Sequence, residues 1–196
     1  MPSNNKVEYG LKNVHYALFD TTTSTYGTPK PWKGAVSLST EPQGDTSKFF
    51  ADDVAYYTTS TNSGESGTIE VALATDDVKI DLLGYKRDAN GVLYEPTDAA
   101  KPTFALLFEI NGDANKRRGA FYNCTLNRPS ETHNTQGETT EVDTNSFDID
   151  MIGRDFETST GVTENVLKSS VDNAGETHKA YDVWFTQVVE PGATLA

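Results

Sequence analysis

Val54-Ala55-Tyr56-Tyr57-Thr58-Thr59-Ser60, the linker Thr61-Asn62-Ser63-Gly64-Glu65-Ser66-Gly67 and the run Thr68-Ile69-Glu70-Val71-Ala72-Leu73-Ala74 decide the fold class. Both runs are rich in β-branched or aromatic residues and contain no proline. The polar linker carries two glycines, so the three pieces predict an antiparallel hairpin with a long tip. Along the second run Ile69, Val71 and Leu73 share one face, while Thr68, Glu70, Ala72 and Ala74 share the other. One face is expected in the core and the other wet or lightly covered. In the first run both faces are mixed, Asp52, Val54, Tyr56 and Thr58 against Asp53, Ala55, Tyr57 and Thr59, and alternation selects neither.

Outward from this hairpin the same grammar recurs. Val14 to Phe19 reads as a first strand, Thr28-Pro29-Lys30-Pro31-Trp32 as an extended connection because proline lacks the ladder donor, and Ala35 to Leu38 as a second strand. Thr75 can cap a short helix over about 75–83, with Asp76 and Asp77 in the first turn, Val78 and Leu82 at i,i+4, and Gly84 as terminator. Asn90-Gly91 marks a tight hairpin between Tyr85–Asp88 and Val92–Tyr94. Phe104, Leu106, Phe108 and Ile110 alternate along a buried strand that returns as Ala120 to Leu126. Arg128 to Asn145 reads as a polar surface loop, Phe147, Ile149 and Met151 as another alternating strand, and Gly153 to Lys179 as polar, with a short helix around Val166-Leu167. Tyr181, Trp184, Phe185, Val188 and Val189 follow helical spacing up to Pro191, although the β-branched residues leave a strand open.

The composition narrows function. The chain has 196 residues, 36% of them hydrophobic, which fits a single domain with arms. One cysteine rules out an intrachain disulfide framework. The start Met1-Pro2-Ser3-Asn4-Asn5-Lys6 has no signal-peptide pattern, and no apolar run approaches a bilayer span, so no membrane insertion is expected. Sixteen Lys and Arg against 29 Asp and Glu give a net charge of −13, which opposes adhesion to nucleic acid or anionic lipid.

Sites of chemistry are sparse. His15, His133 and His178 have no partner at metal-ligand spacing, so no metal or cofactor is expected. Cys124 sits in an apparent strand with no local base and reads as a small buried residue. Asp148 and Asp150 share a strand face and could pair for glycoside hydrolysis or calcium binding, but a solvated face is the simpler reading. Asp52-Asp53 suits the end of a turn. Lys116-Arg117-Arg118 is the one tight basic cluster, readable as a nucleic-acid patch, a solvated tip, or a tip that pairs with acidic residues of a neighbouring subunit; the last fits a field of −13 best. The expectation is a binding or structural protein rather than an enzyme.

Several blocks resemble the major tail tube proteins of long, non-contractile-tailed bacteriophages, especially those of Gram-positive hosts. They are Tyr9-Gly10-Leu11-Lys12-Asn13-Val14-His15-Tyr16-Ala17, Gly34 to Asp45 running on through Phe49-Phe50-Ala51-Asp52, Gly67 to Tyr85, and Phe104 to Glu109. Arg117 to Cys124, Asn127-Arg128-Pro129-Ser130 and Tyr181-Asp182-Val183-Trp184-Phe185 continue the match, which thins at 131–145 and 153–179. The resemblance implies two packed antiparallel β-sheets with a flanking helix, hexameric rings stacked into a tube, and transit of double-stranded DNA without specific binding. It also implies a virion tail built in the host cytoplasm, with the tape measure, tail terminator and distal tail proteins as further partners. The expected organisation is an N-terminal arm at 1–12, a tube domain at 13–191 and a C-terminal tail at 192–196, without the immunoglobulin-like module of some relatives.

On that reading Thr68, Glu70 and Ala72 are lumen candidates, since a wall beside DNA should be small, polar or acidic. Lys116, Arg117, Arg118 and the tip residues Asn62, Ser63, Gly64, Glu65 and Ser66 are candidates for contact between subunits. The rival is a carbohydrate-binding or adhesive β-sandwich using Trp32 or Tyr56-Tyr57 as an aromatic platform.

Overall fold

The computed structural model describes residues 9–130, 143–159, 161–174 and 178–195. Most of the expected arm, the centre of the polar loop after Ser130, and His133 lie outside them. The chain runs through β1 (Leu11–Asp20), β2 (Thr25–Tyr26), β3 (Lys30–Pro31), β4 (Ala35–Gln43), β5 (Thr46–Ala51), β6 (Val54–Ser60) and β7 (Gly64–Val71) to helix α1 (Asp76–Leu83). It continues with β8 (Lys86–Arg87), β9 (Leu93–Tyr94), β10 (Phe104–Ile110), β11 (Arg118–Leu126), β12 (Asn145–Ile152), β13 (Arg154–Glu157), β14 (Thr163–Val166) and β15 (Lys168–Val171). Helix α2 (Lys179–Val183) follows. The fold is mainly antiparallel β, as expected.

A nine-stranded sheet forms the body in the order β2-β1-β10-β11-β12-β7-β4, with β3 on β1 and β15 on β11. Residues alternate between two apolar layers. Phe104 and Leu106 of β10 point to one side with Tyr16, Ile69, Phe147 and Ile149, where Trp32 and the α1 residues Val78, Leu82 and Leu83 close the main core. Ala105 and Leu107 point to the other side with Ala17, Ala120 and Tyr122, under Phe156 of the β13–β14 hairpin and Trp184 after α2. β10 is therefore buried on both faces, which explains its near-continuous apolar run.

Helix α1 forms where expected: its first turn holds Asp76 and Asp77, and Gly84 ends it at φ 76°, a conformation that costs a side chain but not glycine. Thr75 precedes the helix without a side-chain cap bond. Asn90-Gly91 joins β8 to β9, with the Asp88 carboxylate accepting from the backbone N–H of Asn90 and Val92 at 2.8 Å each.

The decisive hairpin differs from expectation. β6 pairs with β5, not with the run after it, and the turn between them is Asp52-Asp53, both left-handed at φ 52° and 60°. β7 begins at Gly64, inside the expected linker, and is gripped on both sides, by β4 and β12. Two ladders are thus stacked end to end: β4–β7 embedded in the body, then β5–β6 projecting beyond it. Asn62 to Ser66 lie at the junction, where tertiary pairing on two edges overrides the local turn signal. Gly67 allows the close approach there, since a Cβ would fall 2.0 Å from the Ser39 carbonyl oxygen. β7 ends at Val71, so Leu73 lies outside the core, 67% exposed.

Two further expectations are corrected. The stretch around Val166-Leu167 forms strands β14 and β15 rather than a helix, because β15 pairs with β11 where β12 has already ended. The C-terminal apolar residues begin as helix, but α2 spans only Lys179–Val183, and turn hydrogen bonds from Thr186 and Gln187 to the Val183 carbonyl follow.

Candidate functional site: a bare acidic sheet face and an exposed hairpin

On β4, β7 and β12 the inward residues Leu38, Ile69, Val71, Phe147, Ile149 and Met151 face the main core. The register then fixes what faces the other way in three cross-strand rows: Ser37–Glu70–Ser146, Ser39–Thr68–Asp148 and Glu41–Ser66–Asp150. These rows lie on the same side of the sheet as Ala105, Leu107 and Tyr122, but Trp184 and Phe156 cover only the β1, β10 and β11 half. Among the described residues nothing covers the β4, β7, β12 half, which is bare in that sense.

Its carboxylates are hydrogen-bonded by neutral donors. Glu70 accepts from Ser37 Oγ at 3.2 Å and Thr144 Oγ1 at 2.6 Å, Asp148 from Thr68 Oγ1 at 3.3 Å, and Asp150 from Asn127 Nδ2 at 2.9 Å. None of the three strands contains a Lys or Arg. Among the described residues no cation pairs with Glu41, Glu70, Asp148 or Asp150, although Lys101 reaches the rim through Asn127 Oδ1 at 2.6 Å. Such a surface holds its carboxylates in place and keeps their negative charge.

Of the lumen candidates, Thr68 and Glu70 sit in these rows and Ala72 lies exposed just past β7. Ser66 joins them, its hydroxyl accepting from Gln43 Nε2 at 2.7 Å. Asn62 accepts from Gly64 N–H, Ser63 N–H donates to the Gln43 carbonyl, and Gly64 has φ 106° at the start of β7. Glu65 is 6% exposed and ion-paired to Lys168 at 2.5 Å, with its Oε2 otherwise unsatisfied.

The basic cluster lies apart, on the turn from β10 to β11. Lys116 is exposed at φ 50°, and Arg117 meets Asp113 at 3.6 Å. Arg118 is turned inward: it contacts Glu109 at 3.2 Å, donates to the Tyr181 carbonyl, and lies 3.7 Å over the Tyr181 ring and 4.8 Å from Phe185. This arginine fastens the C-terminal segment to the sheet.

Trp32 is 2% exposed, edge-on to Tyr16 and Phe147, and cannot serve as a glycan platform. Tyr56 and Tyr57 are exposed, with Phe49, Phe50 and Val54, on the β5–β6 hairpin. Cys124 is fully buried and burial pushes its thiol pKa up, so it stays protonated. Asp148 and Asp150 belong to the bare face rather than to a catalytic pair, and among the described residues no metal-binding cluster occurs. The contributions of Ser37, Ser39 and Glu41, and of the Phe49–Tyr57 hairpin, were not anticipated. The visible signal was Ser-x-Ser-x-Glu beside Ser-x-Thr-x-Glu and Asp-x-Asp, small or acidic residues at every second place.

No curated protein matches the chain. Among solved structures, a chain in the cryo-EM structure of the anti-feeding prophage baseplate, 6-fold symmetrised, is similar with a TM-score of 0.50 and 7% identity. The match covers 88% of this chain and 99% of that one, and at such identity it speaks for the fold alone. The family model described as phage tail tube protein matches residues 3–190. The chain therefore belongs to the phage tail tube protein family and is a structural component of a phage tail.

Proposed function

We propose that this chain is the major tail tube subunit of a long-tailed phage, assembled in the host cytoplasm into stacked hexameric rings that conduct double-stranded DNA. The carrying observation is the bare half-face: Glu41, Glu70, Asp148 and Asp150, spaced by Ser and Thr, with no lysine or arginine on its three strands. The family and the six-fold setting of the structural neighbour support a ring. Six copies would carry a formal charge of about −78, six times −13. A wall lies within about a Debye length, roughly 8–10 Å, of its cargo, so salt leaves much of its repulsion in place.

The rows thereby become the lumen surface. Negative groups held by hydroxyl and amide donors give phosphates nothing to release counterions against, and DNA slides without sticking. The family makes the tape measure, tail terminator and distal tail proteins the further partners. Replacing Glu70 and Asp148 by Lys in phage-borne protein is expected to leave tubes intact by electron microscopy and to slow DNA ejection. Normal ejection through tubes of that variant would contradict the conduit reading.

A further inference from the structure

Asn-Gly occurs twice in the chain, at Asn90-Gly91 and at Asn111-Gly112, and the fold treats the two steps differently. Asparagine before glycine is chemically labile because no side chain shields the following backbone nitrogen. That nitrogen attacks the asparagine Cγ, Nδ2 leaves as ammonia, and a five-membered imide forms. Water then opens the imide at one carbonyl or the other and leaves aspartate or isoaspartate. The second product routes the backbone through the side chain and lengthens it by one methylene.

At Asn111 the attack is blocked. The Gly112 N–H donates to the Tyr9 carbonyl at 2.7 Å, and the Asn111 N–H donates to the Gly10 carbonyl at 2.7 Å. The Tyr9 ring lies so close that a Cβ on Gly112 would fall 2.4 Å from it. The nucleophile is tied to the backbone just before β1 and covered by a ring. At Asn90 the turn is open. Asn90 and Gly91 are exposed, and a Cβ on Gly91 would meet nothing within 4 Å. Asp88 restrains them: its carbonyl accepts from the Gly91 N–H at 3.1 Å, and its carboxylate accepts from the Asn90 N–H at 2.8 Å and from Asn90 Nδ2 at 3.4 Å. The flanking ladder has only the pairs Lys86–Tyr94 and Arg87–Leu93, and a ribbon that short opens at little cost.

We propose that Asn90 is a site of spontaneous deamidation gated by the hydrogen bonds of Asp88, while Asn111 is protected by Tyr9. The reaction consumes water, releases ammonia and needs neither an enzyme nor a second copy of the chain. Its product cannot restore the turn. A carboxylate at position 90 replaces the Nδ2 donor opposite the Asp88 carboxylate, so an attraction becomes a like-charge repulsion. In the isoaspartate form the extra methylene also pulls the backbone out of register with that carboxylate. Each copy therefore passes once, irreversibly, from a closed to an open β8–β9 turn, whether or not the chain lines a DNA channel.

The purified chain is incubated at mildly alkaline pH and digested, and the peptides holding Asn90 and Asn111 are followed by mass spectrometry, with isoaspartate detected by enzymatic methylation. In urea, without the fold, both steps should react at rates within about threefold of each other; in the folded chain Asn90 should react at least about tenfold faster than Asn111. Equal rates in the folded chain, or a faster Asn111, would overturn the assignment. Asp88→Ala removes the carboxylate and keeps the carbonyl, and should speed Asn90 about fivefold while leaving Asn111 unchanged. An unchanged rate at Asn90 would overturn the gate. So would equal acceleration at both sites, because protection would then come from the stability of the whole chain.

Discussion

The two halves of one sheet face have opposite fates. Over β1, β10 and β11 the outward residues are Ala17, Ala105, Leu107, Ala120 and Tyr122, and the chain roofs them with Phe156 and Trp184. Over β4, β7 and β12 they are Ser, Thr, Glu and Asp, and none of the described residues roofs them. Backbone pairing is continuous across the boundary between β11 and β12, so the difference resides in the side chains at alternate positions. A half-face of alanines, leucine and tyrosine collects a cover from the same chain through burial of apolar area. A half-face of hydroxyls and carboxylates holds its own polar groups satisfied and stays available to something outside the chain. Stability is thus concentrated in the covered half, and the proposed conduit in the bare half.

Removing the roof should have the largest effect. Trp184 is 3% exposed and its indole N–H donates to the Gly119 carbonyl at 3.3 Å. Trp184→Ala is expected to cost about 3–5 kcal/mol in denaturant unfolding, from the cavity and the lost donor together. A loss below about 1 kcal/mol would mean that the roof is not what stabilises this half.

Alkali probes the same half next. Tyr122 donates to the Val189 carbonyl at 2.8 Å and contacts Ser169 Oγ at 2.6 Å; burial pushes its phenol from the ordinary 10 up to about 12. Tyr26, whose hydroxyl donates to the Tyr122 carbonyl, shifts in the same direction through burial. The folded state holds these protons more tightly than the unfolded chain, so their contribution is complete below pH 10 and is lost as pH rises through the folded value. For Tyr122 alone the loss is about 3 kcal/mol once pH passes about 12. Unfolding midpoints at pH 8, 10 and 12 should be flat over the first interval and fall over the second; Tyr122→Phe should reduce the fall.

The smallest effect on stability belongs to the bare half. Asp148 is exposed and the one described partner of its side chain is Thr68 at 3.3 Å, so Asp148→Asn should move stability by no more than about 0.5 kcal/mol. A larger loss would show that the bare face contributes to the fold and would erase the contrast.

What the sequence made readable was local or strictly periodic. Phe104, Leu106 and Phe108, Val78 and Leu82 before Gly84, and Asn90-Gly91 each carry their geometry within a few residues, and each appears where expected. The first hairpin failed because its turn, Asp52-Asp53, offers only a tolerance of left-handed backbone, whereas Thr61 to Gly67 advertises glycine and asparagine. What turned that linker into strand was β4 and β12 on either side, information held some 25 residues upstream and 80 downstream, as in the pairs Glu41–Ser66 and Asp150–Ser66. The C-terminal spacing placed Tyr181 and Trp184 correctly against the body, yet the helix stops early because Arg118 and the Gly119 carbonyl hold those rings on the sheet. Thr68 and Glu70 were readable from alternation within one strand; their neighbours Ser39, Asp148 and Asp150 required the register between strands.

A density map of tubes assembled from the purified chain tests the central claim most directly. The account predicts that Ser39, Thr68, Asp148 and their neighbouring rows face the central channel, with no lysine or arginine of β4, β7 or β12 among them. Rows that lie on the outer surface, or buried between subunits against basic side chains, would contradict it.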